Sequence, residues 1–183
     1  MRIVGGKLKG IRFQVPKAFD SRPTTDFAKE ALFNILVNNF DIEQCEVLDL
    51  FTGTGSLSLE FASREAQHVI GVDRNVACLK FIGEILKKHK IEQVKLLKND
   101  AIKFLQIAEI QFDIIIADPP YEYKYYSEIL ETVFKRKLLK TGGMLILEHG
   151  RQNDFSSHEK FLYLRNYGGV HFSFFADENS NEH

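Results

Sequence analysis

Glu46-Val47-Leu48-Asp49-Leu50-Phe51-Thr52-Gly53-Thr54-Gly55-Ser56 decides how this chain is read. Residues 46–51 read as a strand, residues 52–56 as a turn, and residues 57–64 as the helix that follows. Glycine lets a backbone approach a ligand closely and adopt positive φ. A second strand, Val69-Ile70-Gly71-Val72-Asp73, ends in an acid twenty residues beyond Gly53. From such a strand end a carboxylate reaches ribose hydroxyls. The dehydrogenase pattern Gly-x-Gly-x-x-Gly is broken, because Ser58 stands where the third glycine belongs. Asp49, just before the turn, would repel a pyrophosphate and attract an amino group. A cationic amino-acid nucleoside fits this better than NAD.

Downstream the same grammar repeats. A helix is expected over residues 75–89, with Val76, Leu79, Ile82 and Leu86 inward. The third strand, residues 94–97, ends at Asn99-Asp100-Ala101. Asp100 can cap the helix expected over residues 101–108, or accept from an adenine amine; acids at equivalent strand ends favour the second role. Phe112-Asp113-Ile114-Ile115-Ile116-Ala117 is an apolar run suited to a strand buried on both faces. Asp118-Pro119-Pro120-Tyr121 ends it, since neither proline can donate to a ladder. An acceptor-only carboxylate, stiffened carbonyls and an aromatic ring suit a flat, amine-bearing ring stacked on Tyr121. Asp-Pro-Pro is also an ordinary strand-ending turn, so the motif alone is even-handed.

The rest frames these elements. Residues 122–126 read as a tyrosine-rich lid, 127–139 as a helix, and Gly142-Gly143 as a turn into a strand over 144–149. Residues 161–164 and 170–175, joined around Gly168-Gly169, read as an antiparallel pair whose aromatics belong to the core. Ser21-Arg22-Pro23-Thr24-Thr25-Asp26 signals a helix start, followed by an apolar stripe of Phe27, Ala31, Leu32, Ile35 and Leu36. Arg22 is not needed for capping and is a candidate contact for an anion. Residues 2–15 read as a β-hairpin too small to fold alone, which must lean on the main domain. Arg2, Lys7, Lys9, Arg12 and Lys17 make residues 1–19 basic, with no acid among them, as for an arm that lies on phosphates.

At 183 residues the chain has the size of one domain, and 44% hydrophobic with 27% charged residues is ordinary for a globular protein. The expected divisions are the hairpin over 1–20, a main domain over 21–176 and a disordered tail over 177–183. Two distant cysteines and six histidines offer no metal-ligand spacing, so no metal is expected. Without an apolar run long enough to span a bilayer or an apolar leader, the expected location is cytoplasmic, with no membrane partner.

Asp49-Leu50-Phe51-Thr52-Gly53-Thr54-Gly55, Asp73, Asp100 and Asp118-Pro119-Pro120-Tyr121 together resemble a class I S-adenosylmethionine-dependent methyltransferase of the amino-methylating kind. Arg2-Ile3-Val4-Gly5-Gly6, Arg22-Pro23-Thr24-Thr25-Asp26 and Glu30-Ala31-Leu32-Phe33-Asn34 narrow the resemblance to the RsmD family. Its members are bacterial 16S ribosomal RNA guanine-N2 methyltransferases acting on guanine 966 in the family's RNA numbering. The resemblance implies an α/β, Rossmann-like fold, with a seven-stranded, mostly parallel sheet in the order 3-2-1-4-5-7-6, helices on both faces and an N-terminal hairpin. It also implies S-adenosylmethionine as cofactor and 16S rRNA, in the small subunit or an assembly intermediate, as partner. Asp49, Phe51, Gly53 and Gly55 would hold the methionine part, Asp73 the ribose, Asp100 and Ala101 the adenine, with Thr25 bordering the site. Asp118, Pro119, Pro120 and Tyr121 would be catalytic, and Arg2, Lys7, Lys9, Arg12 and Arg22 would face the RNA. An adenine-N6 methyltransferase shares Asp-Pro-Pro-Tyr but needs a target-recognition region this length does not accommodate. A protein-glutamine methyltransferase usually carries Asn-Pro-Pro-Tyr. From another class, an inactive RNA-binding assembly factor could keep the fold, though the intact acids and glycines speak against it.

Overall fold

The strands of the central sheet alternate their side chains between two separate cores. Val47, Ile114, Ile116, Met144 and Ile146 belong to one, while Leu48, Ile115, Ala117, Leu145 and Leu147 belong to the other. That is the period-two consequence of a sheet covered on both faces. The structure is a computed structural model describing residues 1–17, 19, 25–120 and 122–177. Arg22, Tyr121 and all but Asp177 of the expected tail lie outside the described residues.

In chain order the elements are α1 (Asp26–Asn39), a 3₁₀ turn (Ile42–Gln44), β1 (Glu46–Leu50), α2 (Ser56–Ser63), β2 (His68–Asp73), α3 (Val76–His89), β3 (Val94–Lys98), α4 (Ala101–Ile107), β4 (Phe112–Ala117), α5 (Tyr126–Lys135), β5 (Leu139–His149), β6 (Phe161–Tyr167) and β7 (Val170–Phe175). The sheet order is β3-β2-β1-β4-β5-β7-β6. Pairs among β1 to β5 are parallel, and β7 lies antiparallel to both β5 and β6. The order reverses between β1 and β4, the crevice where open α/β sheets bind ligands. The first core contains residues of α1, α2 and α3, the second those of α4 and α5. Helices therefore cover both faces, as expected. Phe172, Phe174 and Phe175 of β7 are fully buried, as read for the last hairpin, whereas Phe161 and Tyr163 of β6 are half-buried and pack against the two cores from the edge.

Three expectations are corrected. The buried face of α1 is Ala28, Lys29, Leu32, Phe33 and Leu36, whereas Phe27 is 64% exposed and Ala31 and Ile35 are half-buried. A lysine at a core position hid the true phase of the stripe. In α3 the inward face is Cys78, Ile82, Ile85 and Leu86, with Val76 exposed at the first turn. Helix α5 ends at Lys135, and β5 begins at Leu139 and runs through Gly142-Gly143. The glycine pair is thus an irregularity within the strand, marked by the register shift between Phe112 and Ile114 on β4.

The N-terminal hairpin is held by one bridge, Arg2 opposite Arg12, with Ile3 N–H donating to Ile11 O and Phe13 N–H to Met1 O. It packs onto the end of α2. Gly6 lies against the Ser63 backbone so closely that a Cβ would fall 1.9 Å from the Ser63 oxygen, and its φ of +72° also requires glycine. Ile3 is fully buried in the first core, so the hairpin shares the core of the main domain.

Candidate cofactor and target-base site

The turn after β1 is built from positive φ and local bonds. Phe51, Gly53 and Gly55 have φ of 65°, 53° and 80°. The two glycines differ in what they face. A Cβ on Gly55 would meet Ile82 of α3 at 2.8 Å, whereas on Gly53 the nearest atom would be Phe51 O at 3.7 Å. Gly55 therefore seats the turn on the fold, and Gly53 leaves its backbone open to a ligand.

Each acid is placed by its strand. Asp49 shares the face of Val47 and meets α2, where Ser58 donates its N–H at 3.1 Å and its hydroxyl at 2.5 Å, both to Oδ2. Ser58, noted for breaking the dehydrogenase pattern, is thus the partner of the buried acid. Burial pushes the Asp49 carboxyl up to about 7; the Ser58 bonds oppose the rise, and Asp118 and Asp73 add to it. Asp73 ends β2 and accepts from Gly53 N–H at 2.7 Å and Asn75 N–H at 2.7 Å. It therefore fixes the glycine turn directly. Asp100 caps α4 by accepting from Lys103 N–H at 3.1 Å and faces Arg74 at 3.5 Å. Capping is realised, and one side of Asp100 is turned toward β2.

Asp118 follows β4. Its N–H donates to Leu50 O at 3.4 Å, which carries the β1–β4 pairing one step past the strand and sets Asp-Pro-Pro beside the glycine turn. Pro119 is buried and Pro120 exposed. Tyr123 N–H closes back onto Pro120 O at 2.8 Å. The Tyr123 ring meets Phe51 edge-on at 4.9 Å, so the turn after β4 is packed on the turn after β1. Burial, then the charges of Asp100 and Glu128, push the Tyr123 phenol up to about 12. Tyr126, expected in the lid, is instead the buried first residue of α5. Glu148 and His149 end β5 alongside, one step past the Ala117–Leu147 pair. His149 donates from Nδ1 to Gly150 O at 2.9 Å, which leaves Nε2 to accept from the Ser173 hydroxyl at 2.8 Å. Burial holds its pKa below the usual value, consistent with a neutral ring. Neither the Phe51–Tyr123 pairing nor the Glu148-His149 edge was singled out from sequence, because both depend on which strand neighbours which.

The basic residues separate into two groups. Arg2 and Arg12 line a cavity of about 410 Å³ together with Phe13, Thr25, Asp26 and Ser56. Thr25 caps α1 by accepting from Ala28 N–H at 3.2 Å, and Arg2 pairs with Asp26 at 2.8 Å. Lys7 instead pairs with Glu65 behind α2, and Lys9 is exposed near the hairpin turn. Among the described residues no helix is long and apolar enough to cross a membrane, and no cluster of His, Cys, Asp and Glu is arranged to hold a metal.

Comparison with known proteins agrees with this geometry. The model of the family described as Conserved hypothetical protein 95 matches residues 1–176. YlbH of Bacillus subtilis (strain 168) is 33% identical over 156 residues, which cover 83% of this chain and 84% of the relative. The ribosomal RNA small subunit methyltransferase D of Haemophilus influenzae is 31% identical over 170 residues, covering 90% of this chain and 86% of the relative. The solved structure of yhhF from Escherichia coli matches with a TM-score of 0.83 at 25% identity, over 96% of each chain. With the sheet order of class I methyltransferases and these relatives, the chain belongs to the Conserved hypothetical protein 95 family, the RsmD family of rRNA methyltransferases.

Proposed function

We propose that this protein transfers a methyl group from S-adenosylmethionine to the exocyclic N2 amine of a guanine in 16S rRNA, guanine 966 in the family's RNA numbering. One observation carries the reading: the Asp118 N–H bond to Leu50 O places a carboxylate and proline-flanked carbonyls directly beside an open glycine turn. The residues fit the cofactor. Gly53 leaves room above its backbone, and both Ser58 bonds fall on Oδ2 of Asp49, leaving Oδ1 to accept from an ammonium. Phe51, Gly53 and Gly55 would border the methionine part, Asp73 the ribose, and Asp100 with Ala101 the adenine; Thr25 closes the side toward α1. When bound, the cofactor supplies an electrophilic methyl group on a sulfonium.

Guanine N2 is a poor nucleophile because its lone pair is delocalised into the ring. Asp118 and the Pro119 carbonyl, by accepting from the two amine hydrogens, favour a tetrahedral nitrogen with its lone pair directed outward. Tyr121 is assigned the stacking role that its sequence position suggests. Alignment and stabilisation of a developing ammonium then provide the acceleration. Asp118 need not be a strong base, since the ammonium product loses its proton readily. Arg2, Lys7, Lys9, Arg12 and Arg22 are assigned to RNA phosphates. The test is methyl transfer to assembled small-subunit particles from a strain lacking the enzyme, with the modified nucleotide mapped. Modification of a guanine N2 supports the proposal. Modification of an adenine N6, or none from protein that binds the cofactor, overturns it.

A further inference from the structure

Lys29 is 1% exposed, and none of the roles assigned above uses it. Its Nζ donates to Arg2 O at 2.5 Å and to the Ser56 hydroxyl at 3.2 Å, and lies 3.7 Å from Glu60 Oε2. Two hydrogen-bond acceptors and one ion-pair carboxylate thus surround the ammonium. They sit on two structures: Arg2 in the hairpin, and Ser56 and Glu60 on α2, where Ser56 is the first residue, directly after Gly55 of the glycine turn. Glu60, fully buried, also accepts from Val4 N–H at 2.9 Å and from Arg64 at 3.2 Å. The same centre thus grips the hairpin twice. Arg2 and Ser56 both line the cavity of about 410 Å³, so Lys29 ties together two parts of its wall.

An apolar core residue would fill this space without the desolvation cost of an ammonium, and buried ion pairs are often no more stable than such replacements. What an apolar side chain cannot do is tie a hairpin carbonyl to the hydroxyl that ends the glycine turn. We propose that Lys29 is a positioning residue that locks the hairpin and the glycine turn into one register, so that RNA bound on the hairpin and cofactor bound on the turn are energetically coupled. The RNA half of this rests on the function proposed above; the mechanical half does not.

Two experiments separate the halves. In the free protein, hydrogen exchange is compared for wild type, Lys29→Met and Lys29→Arg. The expected result for Lys29→Met is at least tenfold faster exchange at Ile3, Gly10 and Phe13 of the hairpin and also at Gly53 and Gly55, with substantial recovery in Lys29→Arg. Unchanged protection at Gly53 and Gly55 would overturn the link. Second, affinity for S-adenosylhomocysteine is measured with and without small-subunit particles, in wild type and in Ser56→Ala, which cuts only the turn-side bond. A coupling of about fivefold or more is the usual scale for linked sites; it should be present in wild type and fall below twofold in Ser56→Ala. No coupling in wild type, or full coupling in the variant, would overturn the energetic claim. A protein with the exchange link that binds no RNA would refute the proposed function and leave the Lys29 link standing.

Discussion

Two charges are buried against α2, and the fold treats them oppositely. Lys29 has a full counter-charge in Glu60, itself held by Arg64 and a backbone N–H. Among the described residues Asp49, 1% exposed, is met by a hydroxyl and an amide, both from Ser58, and faces the like charges of Asp118 and Asp73. The paired charge fastens segments together. The unpaired one stands at the ligand crevice, where its burial is a standing cost that packing alone does not require. Burial of a charge does not by itself mark a site; burial without a counter-charge, on the strand where the sheet order reverses, is the sharper sign.

Breaking the paired centre should have the largest effect. Glu60→Ala leaves a buried ammonium without its counter-charge and a hairpin amide unsatisfied, at a cost of about 3–5 kcal/mol. Denaturant unfolding reads this directly, and a cost below about 1 kcal/mol would show that the pair carries no structural weight. Next comes Asp118→Ala, expected to lower the methyl-transfer rate about 10²–10³-fold while cofactor affinity stays within a few-fold. Single-turnover kinetics with calorimetry decide it; equal losses in rate and cofactor affinity would make Asp118 a cofactor ligand.

Asp49→Asn probes the unpaired charge and should act in the opposite direction to Glu60→Ala. Burial pushes the folded carboxyl up to about 7 from the ordinary carboxylate value of 3.8, so between these values the native state holds a proton the unfolded chain has released. Wild-type stability from this group is therefore lost as pH rises from about 4 to about 7, and the loss is complete above that. The asparagine keeps an acceptor for Ser58 but adds an NH₂ needing a partner, so the net gain at pH 8 is on the order of 2 kcal/mol. Parallel melting curves at pH 4 and pH 8 check this; a gain equal at both would mean the carboxyl is not titrating in that window. Cofactor affinity should fall in the same variant if Oδ1 receives the ammonium.

The smallest effect on stability belongs to exposed charge. Replacing Lys7, Lys9 and Arg12 by alanine should change folding by less than about 0.5 kcal/mol, since the Lys7–Glu65 pair lies at the surface. The log–log salt slope of RNA binding should drop by roughly 2 if these residues neutralise phosphates. An unchanged slope would leave the hairpin a structural element alone.

Much of this was legible in the residues. The alternation of apolar runs with helical segments, the glycines after β1 and the acids after β2, β3 and β4 are local patterns, fixed by backbone preference and side-chain period. They determine that strands form, where they end, and which acids stand at those ends. Sheet order reached the sequence reading only through family resemblance. Which acids and rings are neighbours was decided by the tertiary structure, because adjacency in a parallel sheet is a long-range property: Phe51 meets Tyr123, and β5 brings Glu148-His149 beside β4. Lys29 shows the same limit most plainly. On its own helix it reads as a charge outside the apolar stripe of Phe27, Ala31, Leu32, Ile35 and Leu36, of which only Leu32 and Leu36 are buried. Only with Glu60, thirty-one residues away, does its burial become tolerable, and no local pattern announces a counter-charge at that distance.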